Sequence, residues 1–298
     1  MKDSKLRLGR LVFVLFLAML LAPLWPAQAS AQPSLWEIQG AQGKVYLFGS
    51  AHVLSDGVEW RTPTLRRALA EAQSVVFEID LDEASNPQLV APMMQQLGLL
   101  EPDHTLQGML RPRVWAALER TAGELNLPAA QLTHMRPWLA AVTLSVAFAV
   151  KQGFDPARGV DNLLHQEALA AGKSLEALES FESQMRIFAD LNLRQQAQLL
   201  ASGLRQMRET PRLLQEIVAA YGAGDQRELH RLFSMDDDEL PFMRQRLLLD
   251  RHARWLPRIE AMLAEDRTRL IVVGAAHLAG PDSIVAMLRA KGVKVEGP

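Results

Sequence analysis

The chain contains no cysteine. That excludes disulfides, thiolate metal ligands and a lipid anchor on a terminal cysteine. It has little net charge, −2 over 298 residues, with acids and bases mixed along its length. With no basic block, nucleic-acid binding is not expected. After the first thirty residues no apolar run is long enough to cross a bilayer. The longest, Leu139 to Val150, is about half the needed length. Also absent are His-Glu-x-x-His, Gly-x-Ser-x-Gly, a phosphate loop and a dinucleotide fingerprint. The tryptophans are scattered, and Trp36, Trp115, Trp138 and Trp255 read as core or groove walls.

The N-terminus does have an apolar run. Lys2, Lys5, Arg7 and Arg10 precede a wholly apolar Leu11 to Ala22, and Ala27-Gln28-Ala29 forms a small-x-small cleavage site. Residues 1–29 therefore read as a secretory signal peptide, with Ala29-Ser30-Ala31 as a second possible cut. The expected location is periplasmic or secreted, with no stable membrane anchor after cleavage. Residues 30–298 are then enough for a single α/β domain with a substantial core.

Leu35 to Ile38 and Lys44 to Phe48 read as a hairpin across Gly40-Ala41-Gln42-Gly43. Thr62-Pro63 supplies an N-cap and a first-turn proline, and Ser74 to Asp80 returns as a buried strand, making a β–α–β unit. From about 86 to 258 the spacing is helical, broken by Pro112, Pro128, Pro137, Pro156, Pro211 and Pro241. Only Ser174 to Leu178 looks like a strand there. Arg269 to Val273 then reads as strand, Pro281 to Ala290 as helix and Val293 to Glu296 as a final strand. The expected fold is an α/β sheet built from both terminal regions, with a long, mostly helical insertion.

Two segments share one pattern. Val45-Tyr46-Leu47-Phe48-Gly49-Ser50-Ala51-His52 and Leu270-Ile271-Val272-Val273-Gly274-Ala275-Ala276-His277 each run a buried strand into Gly-x-x-His. The glycine allows close backbone approach, and the histidine falls past the strand's carboxyl end, where open α/β sheets build sites. On parallel neighbouring strands the imidazoles reach one ligand. Glu78 sits in the apolar strand Val75-Val76-Phe77-Glu78-Ile79, where an unpaired carboxylate costs several kcal/mol. It must be compensated by a metal, an arginine or water, or be part of a structural ion pair. His52, His277 and Glu78 together have the composition of an open divalent-metal site. His104, His134, His165 and His230 stand apart, and Asp236-Asp237-Asp238-Glu239 reads as an acidic helix entry rather than a calcium loop.

In this order, these residues resemble the TraB/GumN family, which includes the Tiki metalloproteases. Leu35-Trp36-Glu37-Ile38, Arg136-Pro137-Trp138, Gly159-Val160-Asp161 and Leu178-Glu179-Ser180 with Gln184 extend the resemblance across the chain. Leu249-Asp250-Arg251-His252 falls where an Arg-Asn pair is usual, so the arginine matches and His252 departs. By spacing alone Arg251 is one arginine among several on a helix. The resemblance gives it the role of orienting Glu78 or holding a substrate carboxylate or oxyanion. Glu179 and Gln184 read equally well as supporting groups of the site or as a helix N-terminus with a nearby acid.

The resemblance implies an α/β core and metal-dependent peptide hydrolysis. His52, His277 and Glu78 would hold Mn, Co or Zn, Glu78 being ligand or general base, and the substrate would be a peptide or protein. Two other readings stand beside it. One is a non-catalytic metal-, haem- or small-ligand-binding protein, and the other an enzyme acting on polysaccharide.

Overall fold

Six strands form one mixed sheet in the order β4-β3-β5-β2-β1-β6. They are β1 (Leu35–Gln39), β2 (Lys44–Ser50), β3 (Ser74–Ile79), β4 (Ser174–Glu179), β5 (Arg269–Gly274) and β6 (Val295–Glu296). The computed structural model describes residues 32–54, 58–209, 212–234 and 238–298. The signal-peptide reading, Pro211, Asp236 and Asp237 lie outside the described residues.

β1 and β2 pair antiparallel with Leu35 opposite Phe48, the expected hairpin. β2, β5, β3 and β4 run parallel. The β–α–β unit is more open than expected. The helix Pro63–Glu71 leads from β2 to β3, but β5, from the far end of the chain, lies between those strands. All six residues of β5 are buried. A strand covered on both faces needs the unbroken apolar run Leu270 to Val273. β4, from within the insertion, closes the sheet beside β3.

Proline starts helices here, as expected at Pro63, and several of the prolines that break the helical spacing do so by opening the next helix. Pro63, Pro87, Pro112, Pro137 and Pro241 each occupy a first turn, where the missing N–H has no partner to lose. Thr62 caps the first of these helices through Oγ1, 3.0 Å from the Leu65 N–H. The last helix begins later than the spacing suggests, at Ile284 rather than Pro281. Gly280 turns the chain at φ +88°, and the Ser283 side chain caps the helix by accepting from the Ala286 N–H.

One apolar cluster on each sheet face fixes the sheet's position. Trp36, Trp138 and Trp255 are fully buried, as expected of core residues. Among the described residues no helix is long and apolar enough to cross a membrane.

Candidate functional site

The two Gly-x-x-His segments lie side by side because β2 and β5 are parallel neighbours, with Ser50 opposite Gly274. Gly49 permits the close approach. A Cβ there would lie 3.3 Å from the Ala275 Cα. Tyr221, buried, donates to the Gly49 carbonyl at 2.9 Å and ties the helical region to this turn. The Gly159-Val160-Asp161 segment docks on the first histidine loop. Val160 N–H donates to the Ala51 carbonyl at 2.9 Å, and a Cβ on Gly159 would strike the His52 carbonyl at 2.6 Å.

His52, Glu78 and His277 converge over Gly274. A Cβ added at Gly274 would lie 3.1 Å from Glu78 Oε1, 3.5 Å from His52 Nε2 and 3.7 Å from His277 Cδ2. The notch that the three groups share is therefore the space of one missing methyl. A cavity of about 120 Å³ opens beside it, lined by Ser50, His52, Glu78, Asp161 and Gln184.

Arg251 is not a surface arginine. It is buried at 3% exposure and joins both halves of the site. Nη2 donates to Glu78 Oε2 at 2.6 Å and to Glu179 Oε1 at 2.8 Å, while Nη1 donates to His277 Nε2 at 2.9 Å. Its guanidinium carbon lies 4.3 Å from the centre of the Trp255 ring, a cation–π contact. Arg251 enters the site just after a π-helical turn, Gln245–Leu249, which leads into the helix Asp250–Ala264. Such turns displace the residues that follow and are frequent at functional sites.

Glu78 also accepts from the Gly274 N–H and, at 3.3 Å, from Gln184 Nε2. Burial pushes its pKa up, but His277, Arg251, His52 and the Gly274 N–H together hold it down at about 2. Burial dominates at His277 and lowers it to about 3, so the ring is neutral. His252, lowered mainly by burial, lies against it, Nε2 to His277 Nδ1 at 2.9 Å, and its own Nδ1–H donates to the Asp282 carbonyl at 2.9 Å.

His52 differs. Its side chain is 60% exposed, and Nδ1 lies 3.1 Å from Asp161 Oδ2. Burial of the ring's inner edge lowers its pKa, but the hydrogen bond and charge of Asp161, with Glu78 beyond, prevail and raise it to about 9.

The sequence points to His52, Glu78, His277 and Arg251, and the fold brings all four together, with Glu179 against Arg251 and Gln184 against Glu78. The sequence assigns no roles to Asp161, His252 or Trp255. Asp161 carries a signal in hindsight, an acid in the first turn of the helix Val160–Ala170 directly after a glycine.

Among the described residues no three His, Asp or Glu side chains form a ready metal cage. The donor chemistry nonetheless fits a divalent ion. Two imidazoles and a carboxylate face one notch, and each imidazole has a second partner, Asp161 or His252, of the kind that orients metal-binding histidines. Three carboxylates, Glu78, Glu179 and Asp161, face the guanidinium of Arg251, that of Arg254 at 3.7 Å from Glu179, and the His52 ring. Asp161 Oδ1 and Glu179 Oε2 are buried without a hydrogen-bond partner. Buried carboxylate oxygens without a hydrogen-bond partner suit an added cation.

The chain is 22% identical over 270 residues to an uncharacterized protein of Treponema pallidum, covering 85% of this chain and 79% of that one. It is 26% identical over 309 residues to Metalloprotease TIKI2 of Danio rerio, covering 84% of this chain and 58% of the relative. Uncharacterized protein YbaP of Escherichia coli is 24% identical over 249 residues, 82% of this chain and 87% of its own length. No solved structure matches. Residues 34–297, nearly all of the described fold, match a single family model, and the chain belongs to the TraB/PrgY/gumN family.

Proposed function

We propose that this protein is an exported, metal-dependent hydrolase that cleaves peptide bonds in a peptide or protein substrate. The observation that carries the reading is the convergence of His52, Glu78 and His277 on the Gly274 notch. Distant similarity to the Tiki metalloproteases supports it, and the N-terminal apolar segment supports export.

His52 Nε2, His277 Nε2 and a Glu78 oxygen are the donors that would hold the ion. A divalent ion such as Mn, Co or Zn supplies Lewis acidity there, polarising a scissile carbonyl and acidifying water. Asp161 holds the His52 ring with Nε2 toward the notch. His277 Nε2 now accepts from Arg251, so ligation at that atom requires the guanidinium to give up this bond. The freed N–H can then hold a substrate carboxylate or a developing oxyanion.

Glu78, held at about 2, is a weak base, since general bases work best near the operating pH. That favours ligation over proton uptake. The same acidity argues against a glycosidase, whose proton donor needs a raised pKa, although Glu179 supplies a second carboxylate on the same guanidinium. A cavity of about 120 Å³ also favours an ion with water over a haem, because small-molecule sites run from about 300 Å³ upward.

The test pairs metal analysis of the purified protein with peptide-library cleavage, with and without chelator. Glu78→Gln is measured in parallel. If Glu78 is a ligand, metal content and cleavage fall together. If it is the base, metal stays and cleavage falls by roughly two to four orders of magnitude. Cleavage unaffected by either chelator or Glu78→Gln would overturn the reading.

A further inference from the structure

A second cleft, larger than the histidine site and sharing no residue with it, lies in the helical insertion. Its volume is about 630 Å³. One wall is the helix Leu193–Glu209, which presents Leu193, Arg194, Ala197, Gln198, Ala201 and Arg205 to the cleft. The opposite wall is the entry to the helix Pro112–Glu124, with Arg111 and Arg113 on either side of Pro112.

Three features of this cleft point one way. First, the side chains of Arg111, Arg113 and Arg194 make no hydrogen bond or ion pair among the described residues, although all three line the same space. Arg111 also sits at the N-cap with no side-chain capping bond, so the positive end of that helix adds to theirs. Second, an acid of the chain already occupies one end. Glu239 accepts from Arg205, which shows the chemistry that the remaining arginines lack. Third, the wall formed by the helix Leu193–Glu209 is apolar in its middle. Ala197 and Ala201 leave room, and Leu193 is 49% exposed at the rim.

From Leu193 to Arg205 the helix rises roughly 18 Å. That length takes about five residues of extended polypeptide. We propose that this cleft binds an extended acidic peptide segment, whose carboxylates pair with Arg111 and Arg113 on one wall and whose alternate apolar side chains rest on Ala197 and Ala201 on the other, with Arg194 adding its charge at the start of that helix. Guanidinium forks match carboxylates in geometry, and alternation puts the two kinds of side chain on opposite sides of the segment. The assignment does not depend on hydrolysis at the histidine site.

The experiment is fluorescence anisotropy of the full chain with a fluorescein-labelled hexapeptide alternating glutamate and leucine. The controls are its glutamine–leucine counterpart and dodecanoate as competitor. The acidic peptide should bind, weaken steeply as salt rises through about 0.1 M, and outbind the glutamine peptide by roughly tenfold or more. Arg111→Ser with Arg194→Ser should weaken it by roughly tenfold or more, since charge-assisted pairs are lost. The exposed Gln198→Glu should weaken it as well, by placing an acid in the cleft. Thermal melting identical to the parent shows that these variants fold. Equal binding of the two peptides, or unchanged affinity in both variants, overturns the proposal. Displacement by dodecanoate at lower concentration than by unlabelled peptide overturns it in favour of a lipid-like carboxylate.

Discussion

Arg251 Nη1 stands 2.9 Å from His277 Nε2, and because a guanidinium only donates, that nitrogen must accept. The consequence runs through two rings. His277 carries its proton on Nδ1 and donates it to His252 Nε2, and His252 donates from Nδ1 to the Asp282 carbonyl. The carbonyl at the far end, which can only accept, demands the same assignment. Both histidines are thus held neutral in one tautomer each, with the His277 Nε2 lone pair taken up by Arg251.

His252 is the replaceable link of this chain. In His252→Ala the buried His277 Nδ1–H loses its acceptor, which should cost about 1–3 kcal/mol by urea unfolding. In His252→Asn an amide oxygen can take the same proton, so the loss should stay below about 1 kcal/mol. Equal destabilisation in the two variants would mean that ring packing against Trp255 matters rather than the hydrogen bond.

The stability of the metal-free protein should peak near neutral pH. His277 falls from 6.5 to about 3 on folding, so between those values the unfolded chain holds more protons and stability drops with acid. Glu78, lowered from 4.5 to about 2, extends the loss below pH 4.5. His52 works in the other direction. Raised to about 9, it contributes stability that is full below 6.5 and fades as pH rises through 9. Melting temperature against pH should therefore show a maximum near 6.5. His52→Gln should flatten the alkaline side and also soften the acid side, because its charge helps to hold both Glu78 and His277 down.

Metal affinity should fall by roughly tenfold or more in His52→Ala and in His277→Ala, with the fold retained. Asp161→Asn should lose about 10–100-fold, because Asp161 orients His52 without touching the ion. Calorimetric titration with Mn, Co and Zn measures all three. Loss at one histidine alone would dissolve the pairing.

The histidine pair was legible because each half is local. A strand, a glycine and a histidine three residues on can be read without knowing the fold, and two copies invite a parallel pairing. Glu78 was legible for the opposite reason, being a charge where apolar residues belong. Asp161 was not, because it reaches His52 across 109 residues by the docking of a helix that no local pattern aims there. Arg251 illustrates the limit further. Its helix carries several arginines, and only the π-helical turn before it and the carboxylates beyond it turn this one inward. The insertion of β5 between β2 and β3 is likewise a long-range choice, made by the most apolar strand taking the most covered place.

Gly274 offers the most selective test of the site. Its backbone, at φ −53° and ψ 139°, is open to any L-residue, so Gly274→Ala carries no conformational strain. The added methyl nevertheless enters the space where Glu78 Oε1, His52 Nε2 and His277 meet, 3.1 Å from the carboxylate oxygen. Melting temperature should change by only a few degrees, the scale of about 1 kcal/mol in a domain of this size. Metal affinity and chelator-sensitive cleavage should both collapse, because the methyl stands where the donors converge. A variant that keeps full metal affinity would place the ion elsewhere and empty the notch of its role. One that fails to fold would mean that Glu78 cannot yield the few tenths of an ångström the methyl needs.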